Sequence, residues 1–180
     1  MEKFGKVIVK LRIPILILSF LLLIPSAIGY FNTRVNYDIL YYLPSEIETM
    51  QGQDILMDDF NKGAYAMVVV QNMDTKSTDK LIKKVEGVEH VAQVISYTGI
   101  VGEDVPSEIV PSKFRKYFEN DSTNTTLFAI FFDNTTSSDD TMNAITQIRE
   151  QTEGQAFISG MSAVVTDTKN LSEKETPLYV

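Results

Sequence analysis

Few residues in this 180-residue chain could carry out chemistry. His90 is the only histidine and there is no cysteine, which excludes a histidine metal cluster, a histidine-based catalytic triad, a thiolate zinc site and a disulfide framework. The sequence also lacks a phosphate-binding loop and the HExxH and GxSxG motifs. The carboxylate pairs Asp58-Asp59 and Asp139-Asp140 are typical of solvated helix faces or helix starts, and we interpret His90 as an ordinary strand residue. The sequence therefore argues against an enzyme, and it indicates no cofactor and no metal site.

The aromatic side chains suggest a different kind of site, one for apolar ligands. Phe114 and Phe118 lie one turn apart in a short helix predicted over Ser112 to Glu119, and Tyr117 is beside them. These three side chains could line a hydrophobic groove. They could equally form part of the hydrophobic core, which is the simpler interpretation.

The charges are divided between a basic head and an acidic body. Residues 1–12 carry a net charge of +3, and the remaining residues carry −11, giving −8 for the whole chain. The only basic cluster lies beside a hydrophobic segment, as a membrane protein would place it. This pattern argues against a nucleic-acid partner.

That hydrophobic segment predicts a transmembrane helix. Residues Ile13 to Tyr30 contain 18 residues without a charge, which as a helix would span roughly 27 Å, close to the thickness of the hydrocarbon core. The basic residues before it predict a cytoplasmic N-terminus and an extracytoplasmic remainder after about residue 31. The alternative is a cleaved signal peptide, with small residues at Ala27 and Gly29 before the cut. The apolar core is longer than a usual signal, so we favour the span.

The rest of the chain predicts alternating helices and strands. Residues 31–62 are interpreted as a tether, extended up to Pro44, followed by a helix with a capping box between Ser45 and Glu48. The later predicted elements are a strand over Ala64 to Gln71, a helix over Thr75 to Glu86, a strand over Val88 to Thr98, a loop over Gly99 to Pro106, a strand over Thr125 to Asp133, a helix over Ser138 to Glu153 and a strand over Gln155 to Ser159.

This order predicts an α+β fold with two β-α-β units in one sheet. The strands Ala64 to Gln71 and Thr125 to Asp133 carry apolar residues on both of their faces, which favours burial of both faces. We therefore expect a ferredoxin-like βαββαβ domain over residues 63–160, with its helices on one face of the sheet. Residues 161–180 are interpreted as a polar helix or connector.

Read together, these segments resemble the N-terminal part of an RND-superfamily transporter of the MMPL type. The resemblance rests on the basic N-terminus and span, on the segment NYDILYYLP leading into SEIETMQGQDILMDDFN, on the VVV strand, and on SGMSAVVTDTKN after the domain. The positions that carry it are Tyr37, Asp38, Leu40, Leu43, Pro44, Gly52, Gly160 and Asp167.

The resemblance implies a function that composition alone does not give. It implies proton-driven export of lipids or other hydrophobic molecules from the cell membrane, with this piece supplying the first span and an outer porter domain. The implied partners are membrane lipid, a hydrophobic substrate, further transmembrane helices and a second porter domain. The proton-relay acids of the family lie in later helices, so no residue of this chain is assigned to energy coupling. The alternative is a single-pass, membrane-anchored domain that binds a ligand or a protein partner.

Overall fold

The computed structural model describes residues 2–33, 35–37, 40–102, 105, 109–152 and 154–179. Within these ranges it does not describe the side chains of residues 2–4, 6, 31, 40 and 177–179. The chain forms two compact units, residues 1–36 and residues 37–180.

The first unit is built from two helices, α1 (Glu2–Lys10) and α2 (Arg12–Asn32). The segment Arg12–Tyr30 of α2 is long and apolar enough to cross a membrane, although a signal sequence would meet the same criterion. The hydroxyl groups of Ser19 and Thr33 donate hydrogen bonds to carbonyl oxygens four residues earlier, at 3.0 and 2.7 Å. These two hydroxyl groups are thus satisfied by carbonyl oxygens of the same segment, as a lipid environment would require.

The second unit contains five strands and six α-helices among the described residues, and a short 3-10 turn at Leu40–Tyr42. Along the chain these elements are α3 (Glu48–Asp58), β1 (Ala64–Gln71), α4 (Thr75–Glu86), β2 (Val91–Ile95), α5 (Tyr97–Val101), α6 (Ser112–Arg115), β3 (Glu119–Asn120), β4 (Thr125–Phe132), α7 (Asp139–Thr152), β5 (Ala156–Ser159) and α8 (Met161–Tyr179).

The strands form one antiparallel sheet in the order β2-β4-β1-β5. The longest ladder joins β1 to β4 over eight residue pairs, from Ala64 opposite Phe132 to Gln71 opposite Thr125. The short strand β3 pairs with the beginning of β4. The two central strands, β1 and β4, therefore fix the position of every other strand.

The hydrophobic core lies between one face of this sheet and the helices α4 and α7. Alternate residues of β1 and β4, among them Val68 and Ile130, are fully buried on this inner face. They pack with Leu81 and Val85 of α4 and with Ile148 of α7. Burial of each such side chain contributes about 1.5–3 kcal/mol, so this layer provides most of the stabilisation of the unit.

Several sequence predictions agree with the structure. The fold class is α+β with an antiparallel sheet, and the predicted bounds of β1 and α4 are those observed. Gly87 ends α4, and the Ser138 hydroxyl accepts a hydrogen bond from the amide of Asp140 at the start of α7. Glu153, the predicted end of α7, lies outside the described residues.

The tether differs from its prediction. The segment expected to be extended up to Pro44 contains the 3-10 turn, and the predicted capping box is wrong. Ser45 lies in a turn that is closed by a hydrogen bond from the Ile47 amide to the Pro44 carbonyl. Ile47 therefore becomes the N-cap of α3, which has no side-chain cap, and the N-cap lies two residues later than expected.

Strand β2 is shorter than predicted because turns occupy both of its ends. The amide of Val91 donates to the carbonyl of Val88, and His90 adopts a left-handed backbone conformation with φ of 69°. His90 is therefore a turn residue, and its interpretation as a strand residue is wrong. At the other end the hydroxyl of Ser96 accepts from the amide of Gly99 and begins α5, inside the segment predicted as strand end and loop. Pro106, the predicted end of that loop, lies outside the described residues.

Burial of both sheet faces is also wrong. In β1, buried residues alternate with exposed or half-buried ones, and in β4 fully buried residues alternate with partly buried ones. The helices cover only the inner face. The continuous apolar character of β1 and β4 thus reflects a second face that is apolar but not covered by helices α4 and α7.

Candidate functional site

The tether positions of the family motif lie on the surface of the second unit. Tyr37 is half-buried, whereas Leu43 and Pro44 are exposed. Asp38 lies outside the described residues, and Leu40 opens the 3-10 turn. The motif is therefore not gathered around a cavity by the described part of the tether.

The same turn presents two aromatic rings to the surface. Tyr41 and Tyr42 are each 72% exposed, and their rings meet edge to face with centroids 5.7 Å apart. Exposed tyrosines next to a membrane segment are typical of the membrane interface, where the ring is apolar and the hydroxyl is wet. The tether is thus suited to a boundary between apolar and aqueous surroundings.

The two motif glycines have different surroundings. A Cβ atom at Gly52, inside α3, would have no heavy atom within 4 Å. Gly160 has φ of +108°, and a Cβ atom there would lie 3.4 Å from Cα of Ala66. Of these two, only Gly160 has a backbone reason to be glycine, because it turns the chain from β5 into α8 directly over β1.

Asp167 of α8 forms an ion pair with α7. Its two carboxylate oxygens accept hydrogen bonds from the guanidinium of Arg149 at 2.5 and 2.9 Å, in a bidentate arrangement. At the beginning of α8 the Ser162 hydroxyl donates to the carbonyl of Tyr65 at 2.9 Å. These contacts assign Asp167 a structural role in holding the helix.

Two of the three residues predicted to line an apolar groove belong to a three-ring cluster. Phe114 and Phe118 pack against each other with centroids 5.5 Å apart, and each lies 6.4 Å from the ring of Tyr97. Tyr97 is only 7% exposed, whereas Tyr117 is 74% exposed and is directed to the surface. Phe114 and Phe118 thus serve as a small satellite core, and Tyr117 is separate from it.

The sequence reasoning did not identify the outer face of the sheet, opposite the helices, as a candidate surface. We call it the outer sheet face, and its main apolar residues are Tyr65, Met67, Val69, Leu127, Phe131 and Phe157. Phe157, Tyr65 and Met67 are 62%, 49% and 40% exposed. None of the outward positions of β1, β2, β4 and β5 carries a charged residue.

An exposed sheet face of this composition is unusual. Antiparallel sheets with one solvated face normally alternate apolar and polar residues, so that the outer face is polar. Contiguous exposed apolar residues mark an interaction site more often than a free surface. A cation lies near this face, because Lys62 places its ammonium group 5.5 Å from the centroid of the Phe131 ring.

His90 is the centre of a polar cluster in the turn that follows α4. Its Nδ1 lies 3.1 Å from a carboxylate oxygen of Asp133, and its Nε2 lies 3.8 Å from one of Asp140. The side-chain amide of Asn134 donates to both aspartates at 3.2 Å. Among the residues that the structure describes, no group of three or more His, Cys, Asp or Glu has the geometry to hold a metal ion. The cluster therefore ties the turn before β2 to the turn after β4.

Two carboxyl groups in the part of the chain that the structure describes have shifted pKa values. The side chain and the amide of Ser77 donate hydrogen bonds to Asp74, the N-cap of α4, and these lower the pKa of Asp74. Partial burial raises the pKa of Glu119 in β3, against the opposing effect of the nearby Arg115.

One open depression of about 510 Å³ lies at the end of the sheet near Asp74. Its lining is mainly polar and includes Asn72, Gln155 and the ring of Phe157. The three residues of the predicted groove are not part of it. The depression is continuous with the outer sheet face through Phe157, so it does not form a separate enclosed site.

No protein-family model matches this chain, and a search of curated proteins finds no significant match. Sequence reasoning missed the outer sheet face, although the signal was present: β1 and β4 carry more apolar residues than a single buried face requires.

Proposed function

We propose that the chain is the N-terminal part of a proton-driven membrane transporter of the MMPL type, which exports lipids or other hydrophobic molecules. In this proposal α2 is the first span, and residues 63–160 form the outer substrate-handling domain. The observation that carries the proposal is the exposed, uncharged outer sheet face of a domain that follows a candidate span. A porter domain packs against a partner domain, and apolar surface without its partner is the expected signature.

The ferredoxin-like topology is part of the same proposal. The strands β1 and β2 are joined through α4, and β4 and β5 are joined through α7. The sheet order β2-β4-β1-β5 interleaves these two units, so that the first strand of each unit is central. Two interleaved β-α-β units with both helices on one face are the features of a split βαβ fold.

The orientation follows from the charges in this proposal. The protein is anchored in the cell membrane through α2, the four basic residues before Ile13 keep the N-terminus in the cytoplasm, and the second unit is extracytoplasmic. The exposed rings of Tyr41 and Tyr42 then lie close to the membrane interface. Their apolar edges contact lipid or neighbouring spans, and their hydroxyl groups contact water.

The proposed partners are membrane lipid, the hydrophobic substrate, further transmembrane helices and a second porter domain. The domain contributes surface and shape to transport, and the energy coupling belongs to spans beyond this segment. Consistent with that division, charged residues are absent between Ile13 and Tyr30. No nucleic acid has a part in the proposal, because the second unit is acidic.

The second candidate function is a single-pass, membrane-anchored binding domain. It is favoured by one observation: residues 37–180 form a compact unit with a complete inner core. Such a unit could fold without further domains and bind a partner through its outer sheet face. Both candidates use the same surface, and they differ in whether more spans follow.

The decisive experiment is to sequence the coding region past Val180. A run of about 20 apolar residues soon after it, followed by several further spans, would support the transporter. A stop codon directly after Val180 would refute it and favour the anchored binding domain. As a second measurement, binding of a hydrophobic dye to the full chain in detergent-free nanodiscs should fall when Tyr65 and Phe157 are both replaced by lysine. Equal binding before and after the change would contradict an exposed apolar face.

A further inference from the structure

The chain contains four sequons, the Asn-x-Ser/Thr tripeptides that are acceptors for N-linked glycans. Their asparagines are Asn120, Asn124, Asn134 and Asn170, and no sequon occurs in the first 119 residues. The chain has nine asparagines, and 29 of its 180 residues are serine or threonine, so chance alone predicts about 1.5 sequons. The sequons are therefore more numerous than composition predicts, and all four belong to the second unit.

The fold separates the two groups of the Asn170 sequon. A sequon is recognised through the carboxamide of its asparagine and the hydroxyl two positions later, which the transferase must reach together. Positions i and i+2 lie on the same face of a strand but on different sides of a helix. Asn170 and Ser172 lie inside α8, so the helix directs them to different sides. The folded domain therefore does not present this sequon for modification.

The Asn134 sequon is closed by the polar cluster around His90. The side-chain nitrogen of Asn134, the atom to which a sugar would be attached, donates hydrogen bonds to Asp133 and Asp140 at 3.2 Å. It also lies 3.4 Å from Nδ1 of His90. Thr136, which supplies the hydroxyl of this sequon, is only 8% exposed. A sugar on Asn134 would break this cluster, so the folded domain excludes it.

The other two sequons flank the tip of the β3-β4 hairpin. Asn120 pairs with Thr125 at the start of β4, and residues 120–124 are all exposed. The carboxamide oxygen of Asn120 accepts hydrogen bonds from the amide and the hydroxyl of Ser122, at 3.1 and 2.6 Å. The carboxamide and the hydroxyl of this sequon are therefore bonded to each other, although both residues are exposed.

Asn124 differs because its backbone is fixed while its side chain is free. Its carbonyl accepts a hydrogen bond from the amide of Asn72 at 2.9 Å, and its φ of 46° turns the chain into β4. The side chain is exposed and has no hydrogen bond to any residue that the structure describes. Thr126, two residues later, lies in the extended backbone of β4. Of the four sequons, this one leaves the acceptor nitrogen unbonded at the start of an extended segment.

We propose that Asn124 is an N-glycosylation site. Its side-chain nitrogen forms a bond to the anomeric carbon of an oligosaccharide carried on a polyprenyl phosphate lipid, and the bond between that carbon and the phosphate oxygen breaks. The nitrogen loses one proton to a base of the membrane transferase, and the lipid phosphate leaves with the electron pair. The site rests on the extracytoplasmic position of the second unit in the proposed function, because this transfer takes place on that side of the membrane.

A glycan at Asn124 would also define which part of the domain stays in water. The hairpin tip lies at the end of β1 that carries Gln71, whereas the tether enters β1 at Ala64. A glycan is bulky and hydrophilic, so it keeps its surroundings free of protein contacts. In the proposed function the second porter domain then covers the outer sheet face without reaching the hairpin.

The test uses the full chain purified from the membranes of its source cells. One tryptic peptide, residues 117–149, contains three of the four sequon asparagines. Electron-transfer fragmentation of this peptide in a mass spectrometer assigns an attached sugar to one asparagine. We expect a sugar on Asn124 in most of the chains and none on Asn134 or Asn170. An unmodified Asn124 would overturn the proposal, whether or not Asn120 carried a sugar.

Two matched variants test the sequon itself. T126V removes the hydroxyl of the sequon but keeps Asn124, and valine suits a strand position. We expect it to reduce the sugar-bearing fraction at least about tenfold. T136V makes the same change in the Asn134 sequon and should leave that fraction unchanged. Equal fractions in the two variants would contradict a sequon-directed modification at Asn124.

The orientation of the second unit is measured separately. The chain contains no cysteine, so K80C, at an exposed position of α4, introduces a single thiol. Intact cells that produce this variant are treated with a maleimide that does not cross membranes. Labelling of K80C without a sugar on Asn124 would overturn the glycosylation site and leave the proposed function intact. Absence of both labelling and sugar would overturn the proposed orientation as well.

Discussion

Replacement of Gly160 by alanine should lower the free energy of unfolding by about 1–3 kcal/mol. The reason is the backbone, because φ of +108° is a conformation that residues with a Cβ atom rarely adopt. The new Cβ atom would also lie 3.4 Å from Cα of Ala66 and 3.5 Å from the carbonyl oxygen of Tyr65, which leaves little room to relax. For a unit of this size, each kcal/mol lowers the melting temperature by about 2–4 °C. We therefore expect a decrease of roughly 2–12 °C.

The matched control is Gly52→Ala. Gly52 lies inside α3, has no heavy atom within 4 Å of a built Cβ, and lacks a positive φ. Alanine in a helix interior is favoured over glycine by about 0.5–1 kcal/mol, so this variant should be slightly more stable than the parent. The two changes are chemically identical and are expected to have opposite signs.

The measurement is thermal and urea unfolding of the full chain in detergent micelles, followed by circular dichroism in the far ultraviolet. The chain has no tryptophan, which makes backbone ellipticity a better probe than fluorescence. If Gly160→Ala were as stable as the parent, the left-handed turn between β5 and α8 would not exist as described. If both variants were destabilised equally, the loss would not be specific to the left-handed backbone at Gly160.

Three further predictions concern single side chains. Asp74→Ala should lower the melting temperature at neutral pH, whereas Asp74→Asn should keep the cap. Hydrogen bonds from Ser77 lower the pKa of Asp74, so the contribution of this carboxylate to stability is complete above the ordinary pKa of aspartate and is lost as the pH falls through the lowered pKa. Melting curves at several pH values should therefore show less acid sensitivity in the asparagine variant. Phe118→Ala should lower the free energy of unfolding by about 1–3 kcal/mol, because Phe118 packs in the three-ring cluster. Tyr117→Ala should lower it by less than about 0.5 kcal/mol, because Tyr117 is exposed. Equal losses of the two variants in urea unfolding would contradict the three-ring cluster. Thr141→Val should raise the free energy of unfolding by about 1 kcal/mol, because the fully buried Thr141 hydroxyl has no hydrogen-bond partner among the described residues, and a loss of stability would reveal a partner.

The order of elements was predictable because strong local signals mark the ends of several of them. The bounds of β1 and α4 follow from a run of β-branched residues and from an amphipathic pattern that ends at Gly87. The shorter elements were predicted less accurately from the sequence. Helix α5 spans only five residues, and its one signal is the Ser96 cap, which the apolar pattern of β2 conceals. The capping box at Ser45 failed because a turn at Pro44 used the same residues.

The candidate surface was harder to predict than the fold. An apolar run in a strand does not show whether the second face is covered by another part of the chain or left exposed. Sequence separation concealed the other contacts: Arg149 meets Asp167 across 18 positions, and Ser162 reaches the Tyr65 carbonyl across 97. Such pairs depend on how the helices lie on the sheet, which no local pattern encodes. The motif position Asp167 was identified, but its partner was not.

The strand order also determines when this domain can fold during its synthesis. Strand β1 is central, yet both strands that pair with it, β4 and β5, follow it in the chain. Ser159 at the end of β5 follows Ala64 by 95 residues. At ribosomal rates of about 5–20 residues per second, at least one edge of β1 has no partner strand for roughly 5–19 s after the strand is synthesised.

Strand β1 is an uncharged segment of eight residues that is rich in valine, a composition that favours pairing between strands of different chains. The two strands that pair with the edges of β1, β4 and β5, are both present only after residue 159 has been synthesised. We therefore expect the yield of folded protein to depend on the speed of translation between Gln71 and Ser159. Chains that stop before Ala156 should aggregate through β1, because one edge of that strand would remain permanently open.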